Sequence, residues 1–195
     1  MMNKNVIFGS TSVDLVEINK IELSARLGKG VSIDSSDVIK CIDKYQECAH
    51  YRFAYTKIAY KYENSLCCFG KYSVYSPSLA TVLQGSEEVI FLAVSAGIEV
   101  DKLINRAAIQ SPKLSFYIDA IASAGIESYM DYISSKICEG LNVTKRFSPG
   151  YADFPLEFQA YLLNILSAKD SIGINLSNDL LMIPTKSITA VIGIT

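Results

Sequence analysis

Apolar residues alternate or cluster along this chain in ways that separate helix from strand. Val13 to Ile18 alternates loosely and predicts a strand. Ile21 to Leu27 predicts a short helix closed by Gly28. Ser35 or Ser36 can cap a helix reaching about Cys48, with Val38, Ile39, Ile42 and Tyr45 on one face. Tyr51 to Tyr62 is rich in aromatic residues and predicts a strand, and Leu66 to Phe69 continues the β pattern. Its tyrosines, Tyr51, Tyr55, Tyr60 and Tyr62, predict a half-buried sheet face.

Ser76-Pro77 opens a short helix through Leu83, stopped by Gly85. Val89 to Ser95 is an unbroken apolar run that predicts a buried strand. Gly97 to Ala108 is helical. From Pro112 to about Glu139, Leu114, Ile118, Ile121, Gly125, Tyr129, Ile133 and Ile137 recur at three-to-four spacing and predict a long helix, with Gly140 as its stop. Ala120, Ala122, Ala124 and Gly125 give that helix a small-residue surface on which another backbone can approach. Asp153 or Phe154 precedes Pro155 at a helix start, and Phe158, Leu162, Ile165 and Leu166 face inward as that helix runs to about Ser167. Ile172 to Leu176, Met182-Ile183 and Ser187 to Ile194 predict β structure, with the C-terminal segment packed into the sheet. Helices and strands that do not strictly alternate imply an α+β fold with a twisted, mainly antiparallel sheet and flanking helices.

The chain has 195 residues, half of them hydrophobic and 19 % charged, with a net charge of −2. That composition excludes a disordered chain and gives no electrostatic case for nucleic acid. The longest aliphatic and aromatic run, Val89 to Val94, is far short of a membrane span. Met-Met-Asn-Lys-Asn leads into no long apolar stretch, which argues against a secretory leader and for the cytoplasm. Five cysteines, no Cys-x-x-Cys and one histidine give little support to a zinc site; Cys67-Cys68 reads as two buried strand residues. No nucleophile–base pair stands out, and His50 carries no assigned role.

The most informative stretch is Arg146-Phe-Ser-Pro-Gly-Tyr151, followed by Ala-Asp-Phe-Pro155. Pro149-Gly150 forces a turn. Arg146 offers a planar fork suited to a carboxylate. Tyr151 offers a ring face and a hydroxyl. Such a loop can hold a small zwitterion. Asp153 reads as a helix N-cap.

This segment resembles the Arg-x-x-Pro-Gly-Tyr-x-x-x-Pro motif of the activation (reactivation) domain of cobalamin-dependent methionine synthase. Gly173-Ile-Asn-Leu-Ser-Asn-Asp-Leu-Leu-Met-Ile-Pro184 and Ser187-Ile-Thr189 resemble, in order and spacing, that family's Gly-Ile-x-Leu-Thr-Glu-Ser-x-x-Met-x-Pro and Ser-Val-Ser/Thr segments. The match runs from about Glu139 to Gly193 and is looser over residues 1–110, so residues 1–195 read as one activation-domain-like unit. The resemblance implies a C-shaped α+β domain that binds S-adenosylmethionine and supports reductive methylation of a corrinoid. A flavodoxin-like reductant supplies the electron in that family, and S-adenosylmethionine supplies the methyl group. Carried over, Arg146 clamps the methionine carboxylate, backbone groups near Ser148 and Gly150 complete the contact, and Tyr151 packs near the sulfonium. Glu127 or Glu139, with Asp153 as a third candidate behind them, meets the α-amino group or the ribose. The family's N-terminal Asp-Trp contact has no counterpart, because the chain has no Trp.

The chain carries no Asp-x-His-x-x-Gly corrinoid motif, so cobalamin would come only through a partner. That partner would be a corrinoid-binding protein, or a methionine synthase lacking its own activation domain. The alternatives are a non-catalytic docking or ligand-sensing module for a corrinoid protein, and a reactivation partner of another corrinoid methyltransferase.

Overall fold

A computed structural model describes residues 5–195; residues 1–4, on which the leader reading bears, lie outside the described residues. In chain order the elements are β1 (Ile7–Thr11), α1 (Lys20–Leu27), α2 (Ser36–Cys48), β2 (Tyr51–Glu63), β3 (Leu66–Phe69), β4 (Tyr72–Val74) and α3 (Pro77–Val82). Then follow β5 (Glu88–Ser95), α4 (Ile98–Gln110), α5 (Pro112–Ile137), α6 (Phe158–Ile165), α7 (Ala168–Ser171), β6 (Asn175–Leu176), β7 (Met182–Ile183) and β8 (Ser187–Ile194). The fold is α+β. Six strands form one antiparallel sheet in the order β4-β3-β2-β5-β8, with β1 also on β2. The long β2 makes this possible. Its first residues pair with β1 and β5, and its last with β3. A separate hairpin joins β6 to β7.

The central strand β5 explains the two-sided core. Ile90, Leu92 and Val94 point to the layer of α1, α2, α4 and α5, while Val89, Phe91 and Ala93 point to the layer of α3, α6 and α7. A strand covered on both faces needs an unbroken apolar run rather than alternation. The first layer is organised by tyrosines. Tyr51 stacks on Tyr129 with centroids 4.3 Å apart, and its hydroxyl meets Tyr45 Oη at 2.8 Å. The second is a phenylalanine cluster in which Phe158 packs edge-on against both Phe69 and Phe91.

The stretch Val13 to Ile18 is not a strand. Residues Val13–Leu15 form a 3-10 turn, and the strand lies earlier, at β1, whose Ile7 and Phe8 are both exposed and so give no alternation to read. On α2, Ile39 faces outward and Cys41 takes the core position. On the small-residue surface of α5, Gly125 receives the Tyr45 ring. Pro155 to Glu157 form tight turns, with Phe158 N donating to Pro155 O at 3.2 Å, and α6 begins only at Phe158. It ends at Ile165, before α7, where Ser167 adopts a left-handed conformation. The β segment expected from Ile172 begins at Asn175. Tyr62 is exposed, and Cys68 is half-buried beside the fully buried Cys67.

Candidate functional site

After α5, Gly140 takes a positive φ and turns the chain back along the outer edge of β8. Val143 bridges Ile194, and Phe147 bridges Val191. Four steps on one strand answer three on the other, so the returning segment carries one extra residue, the signature of a bulge. Thr144 holds it down: its amide donates to Gly193 O at 3.0 Å, and its hydroxyl accepts from Gly193 N at 2.9 Å. Strand-like alternation then sends Phe147 to the phenylalanine layer and Arg146 to α5.

The guanidinium of Arg146 meets two carboxylates one helical turn apart. Nη2 donates to Glu127 Oε2 at 2.6 Å, and Nη1 lies 3.0 Å from Asp131 Oδ1. The N–H bonds of Nη1 do not point at that oxygen, and this buried atom has no hydrogen-bond partner. A buried donor without an acceptor is costly unless something supplies one. The Arg146 and Glu127 side chains are 31 % and 24 % exposed, whereas that of Asp131 is 66 % exposed. Two carboxylates share one guanidinium, which leaves one negative charge in excess beside an unused N–H. That pattern matches the head of an α-amino acid, an acceptor next to a cation. The stripe continues up the same face of α5. There Lys186 Nζ binds Asp119 Oδ1 at 2.8 Å and Ser123 Oγ at 2.9 Å.

The turn that follows is built as its sequence requires. Tyr151 N donates to Ser148 O at 3.2 Å, with Pro149 and Gly150 at the two central positions and Gly150 at φ +88°. This is a type II turn, whose third position strongly favours glycine. The amide of Gly150 donates to Phe154 O at 2.8 Å, so it is consumed by the loop and is not offered to a ligand carboxylate. The Ser148 amide has no partner among the described residues. Tyr151 is 57 % exposed, its ring held edge-on by Phe147 at 6.1 Å.

Asp153 is a cap, but of a different helix from the one expected. Its carboxylate accepts from Ser76 Oγ at 2.5 Å and from the amide and hydroxyl of Ser78, covering the start of α3. These donors, Ser76 Oγ first, hold its pKa below the usual 3.8. The loop is thus latched to an element over seventy residues earlier.

Of the expected site residues, the structure brings together Arg146 and Glu127, with Ser148, Gly150 and Tyr151 on the adjoining turn. Glu139 lies exposed beyond the end of α5 and makes no side-chain contact with Arg146. Asp131 takes the role of second carboxylate. It was legible in principle, being four residues after Glu127 on the face opposite the apolar register. A cavity of about 570 Å³ bounded by α6, α7 and β6 shares no residue with this cluster.

No protein-family model and no curated protein matches the chain at the level of sequence. Among solved structures, the chain is similar to a crystal structure of the MetH reactivation domain bound to AdoHcy, with a TM-score of 0.70 and 14 % identity. The similarity covers 96 % of this chain and 78 % of that one. The chain therefore has the fold of the MetH reactivation domain.

Proposed function

We propose that the Arg146 cluster holds the amino-acid end of S-adenosylmethionine and that the protein supports, in trans, reductive methylation of the corrinoid of a cobalamin-dependent methionine synthase. The observation that carries this reading is the guanidinium fork shared by two carboxylates, on the fold of a domain whose solved structure contains AdoHcy. As Asp131 swings out toward the α-ammonium, the buried Nη1 it covers, which has no hydrogen-bond acceptor, becomes the donor to the ligand carboxylate. Asp131, open to solvent, takes the α-ammonium, while Glu127 fixes the guanidinium plane through its 2.6 Å bond. The Ser148 amide is the backbone donor left to the carboxylate. The Tyr151 ring offers its face to the sulfonium.

The chemistry asks little else of the chain. Methyl transfer from a sulfonium breaks one S–C bond, the sulfur keeps the electron pair, and no proton moves. The attacking electron pair would come from a corrinoid carried by a partner and reduced by a flavodoxin-like protein, outside this chain. Positioning then supplies the rate.

Calorimetry with S-adenosylmethionine tests the ligand. Loss of charge-assisted hydrogen bonds is worth about 1.5–3 kcal/mol, so Arg146→Ala weakens binding about 10- to 150-fold. No heat at about 1 mM ligand, or heat unchanged by Arg146→Ala, refutes the assignment. The second arm mixes a corrinoid protein, reductant and S-adenosylmethionine. Methylcobalamin forming equally well without this chain refutes the reactivation role.

A further inference from the structure

A cleft of about 370 Å³ that shares no residue with the Arg146 cluster opens between the 3-10 turn at residues 13–15, α1 and α2, where Ile39, Ile42 and Gln46 line it. Its floor is aliphatic: Val16 and Leu23 are buried, and Ile33 and Ile42 half-buried. Its rim is acidic. Asp14, Glu17 and Asp34 border it against a single ammonium, Lys20. None of these four makes an ion pair among the described residues, although carboxylates nearby on α1 and α2 do, as Glu22 with Arg26 and Asp37 with Lys113. Ile39 adds exposed aliphatic surface at the lip, at 45 %.

We propose that this cleft docks a basic amphipathic helical segment of a partner protein. The charge balance selects the occupant: three unpaired carboxylates against one ammonium attract Lys and Arg, and repel acidic segments and anionic lipid. The floor selects aliphatic anchors, since it has the size for one or two large side chains and contains no ring for stacking. The backbone geometry selects a helix. No strand residue lines the cleft, so an extended segment lying in it would leave its amides and carbonyls unpaired, whereas a helix satisfies its own.

The probe is a fluorescent Leu/Lys helical peptide of about 14 residues, titrated into the full chain by anisotropy beside its Leu/Glu counterpart. The basic peptide binds at least ten times more tightly, and its affinity falls as salt rises from about 0.05 to about 0.15 M. The triple substitution Asp14→Asn, Glu17→Gln, Asp34→Asn weakens it about tenfold and flattens the salt dependence. Ile39→Ser, at an exposed position that leaves the core intact, weakens it as well. Amide shifts fall on residues 14–23 and 33–46. Equal binding of the two peptides, no binding of the basic one, or shifts centred elsewhere overturns the proposal.

Discussion

Gly125→Ala sets two ordinary rules against each other. Alanine is the better helix former, and in a helix interior the exchange gains about 1 kcal/mol. Here an added Cβ would stand 2.8 Å from Cε1 and Cζ of Tyr45, and nearer still to the hydroxyl. The ring has nowhere to go. Tyr45 is fully buried, its hydroxyl is 2.8 Å from Tyr51 Oη, and Tyr51 in turn donates to the Gly125 carbonyl at 3.1 Å while stacked on Tyr129. Overpacking of this kind costs about 1–3 kcal/mol, and a strained or lost hydrogen bond about 1 kcal/mol more. After the propensity gain, the net loss is about 1–3 kcal/mol. For a chain of this length, that lowers Tm by about 2–12 °C. Scanning calorimetry measures it. Tyr45→Phe removes the closest atom and recovers part of the loss in the double variant, a coupling of about 1 kcal/mol. A Tm unchanged or raised by Gly125→Ala refutes the reasoning, as does strict additivity of the pair. Because Glu127 is two residues further along α5, the same variant also weakens S-adenosylmethionine binding if that ligand sits at Arg146.

Three other outcomes are expected. Asp153 has a depressed pKa in the fold, so its contribution is complete above 3.8 and disappears as pH falls through its lower folded value; Asp153→Asn should flatten the acid limb of Tm against pH. Gly193→Ala would place a Cβ 2.9 Å from Thr144 Cγ2 and 3.0 Å from Leu83 Cδ2, costing about 1–3 kcal/mol in urea unfolding and loosening the segment that carries Arg146. Burial raises Tyr51 and Tyr129 from 10.0 to about 12, and burial likewise pushes Tyr45 well up. Stability should hold below pH 10.0 and fall as pH climbs through about 12, with tyrosinate absorbance from these rings appearing only on unfolding or above that range.

Elements whose pattern is produced by burial were legible in the sequence. β5 is covered on both faces, so its run of apolar residues marked it without alternation, and α5 shows its register because one side lies on the tyrosine layer. β1 was missed because it is half solvated on both faces: Ile7 and Phe8 are exposed, and its pairing to β2 rests on backbone bonds that no side-chain pattern records. The 3-10 turn at Val13–Leu15 mimicked a strand because Val13 and Val16 are inward while Asp14 and Leu15 are exposed. Ile39 shows the converse: at helical spacing it reads as core, yet it lies at the lip of a cleft.

For the site, local chemistry was legible and long-range pairing was not. Pro149-Gly150 dictates its own turn, and the structure contains that turn. Nothing within Arg146 to Pro155 indicates that Asp153 reaches Ser76 and Ser78, or that Arg146 meets the middle of α5 rather than its end near Glu139. Those pairings follow from the bulged return along β8, which fixes which side of the sheet each residue faces. The consequence is mechanical. Arg146 is held by α5 on one side and by Thr144 on Gly193 at its back, while the turn beyond it is held by Asp153 on α3. A cation fixed from three elements loses little freedom when a carboxylate arrives, so its binding energy goes into orientation. The exposed Asp131 lacks such restraint. If the proposed ligand is right, Arg146 should therefore set affinity and Asp131 mainly the preference for a free α-ammonium. Comparing S-adenosylmethionine with its N-acetyl derivative in Asp131→Asn separates the two: the variant should bind both nearly alike, and retained discrimination would place the ammonium elsewhere.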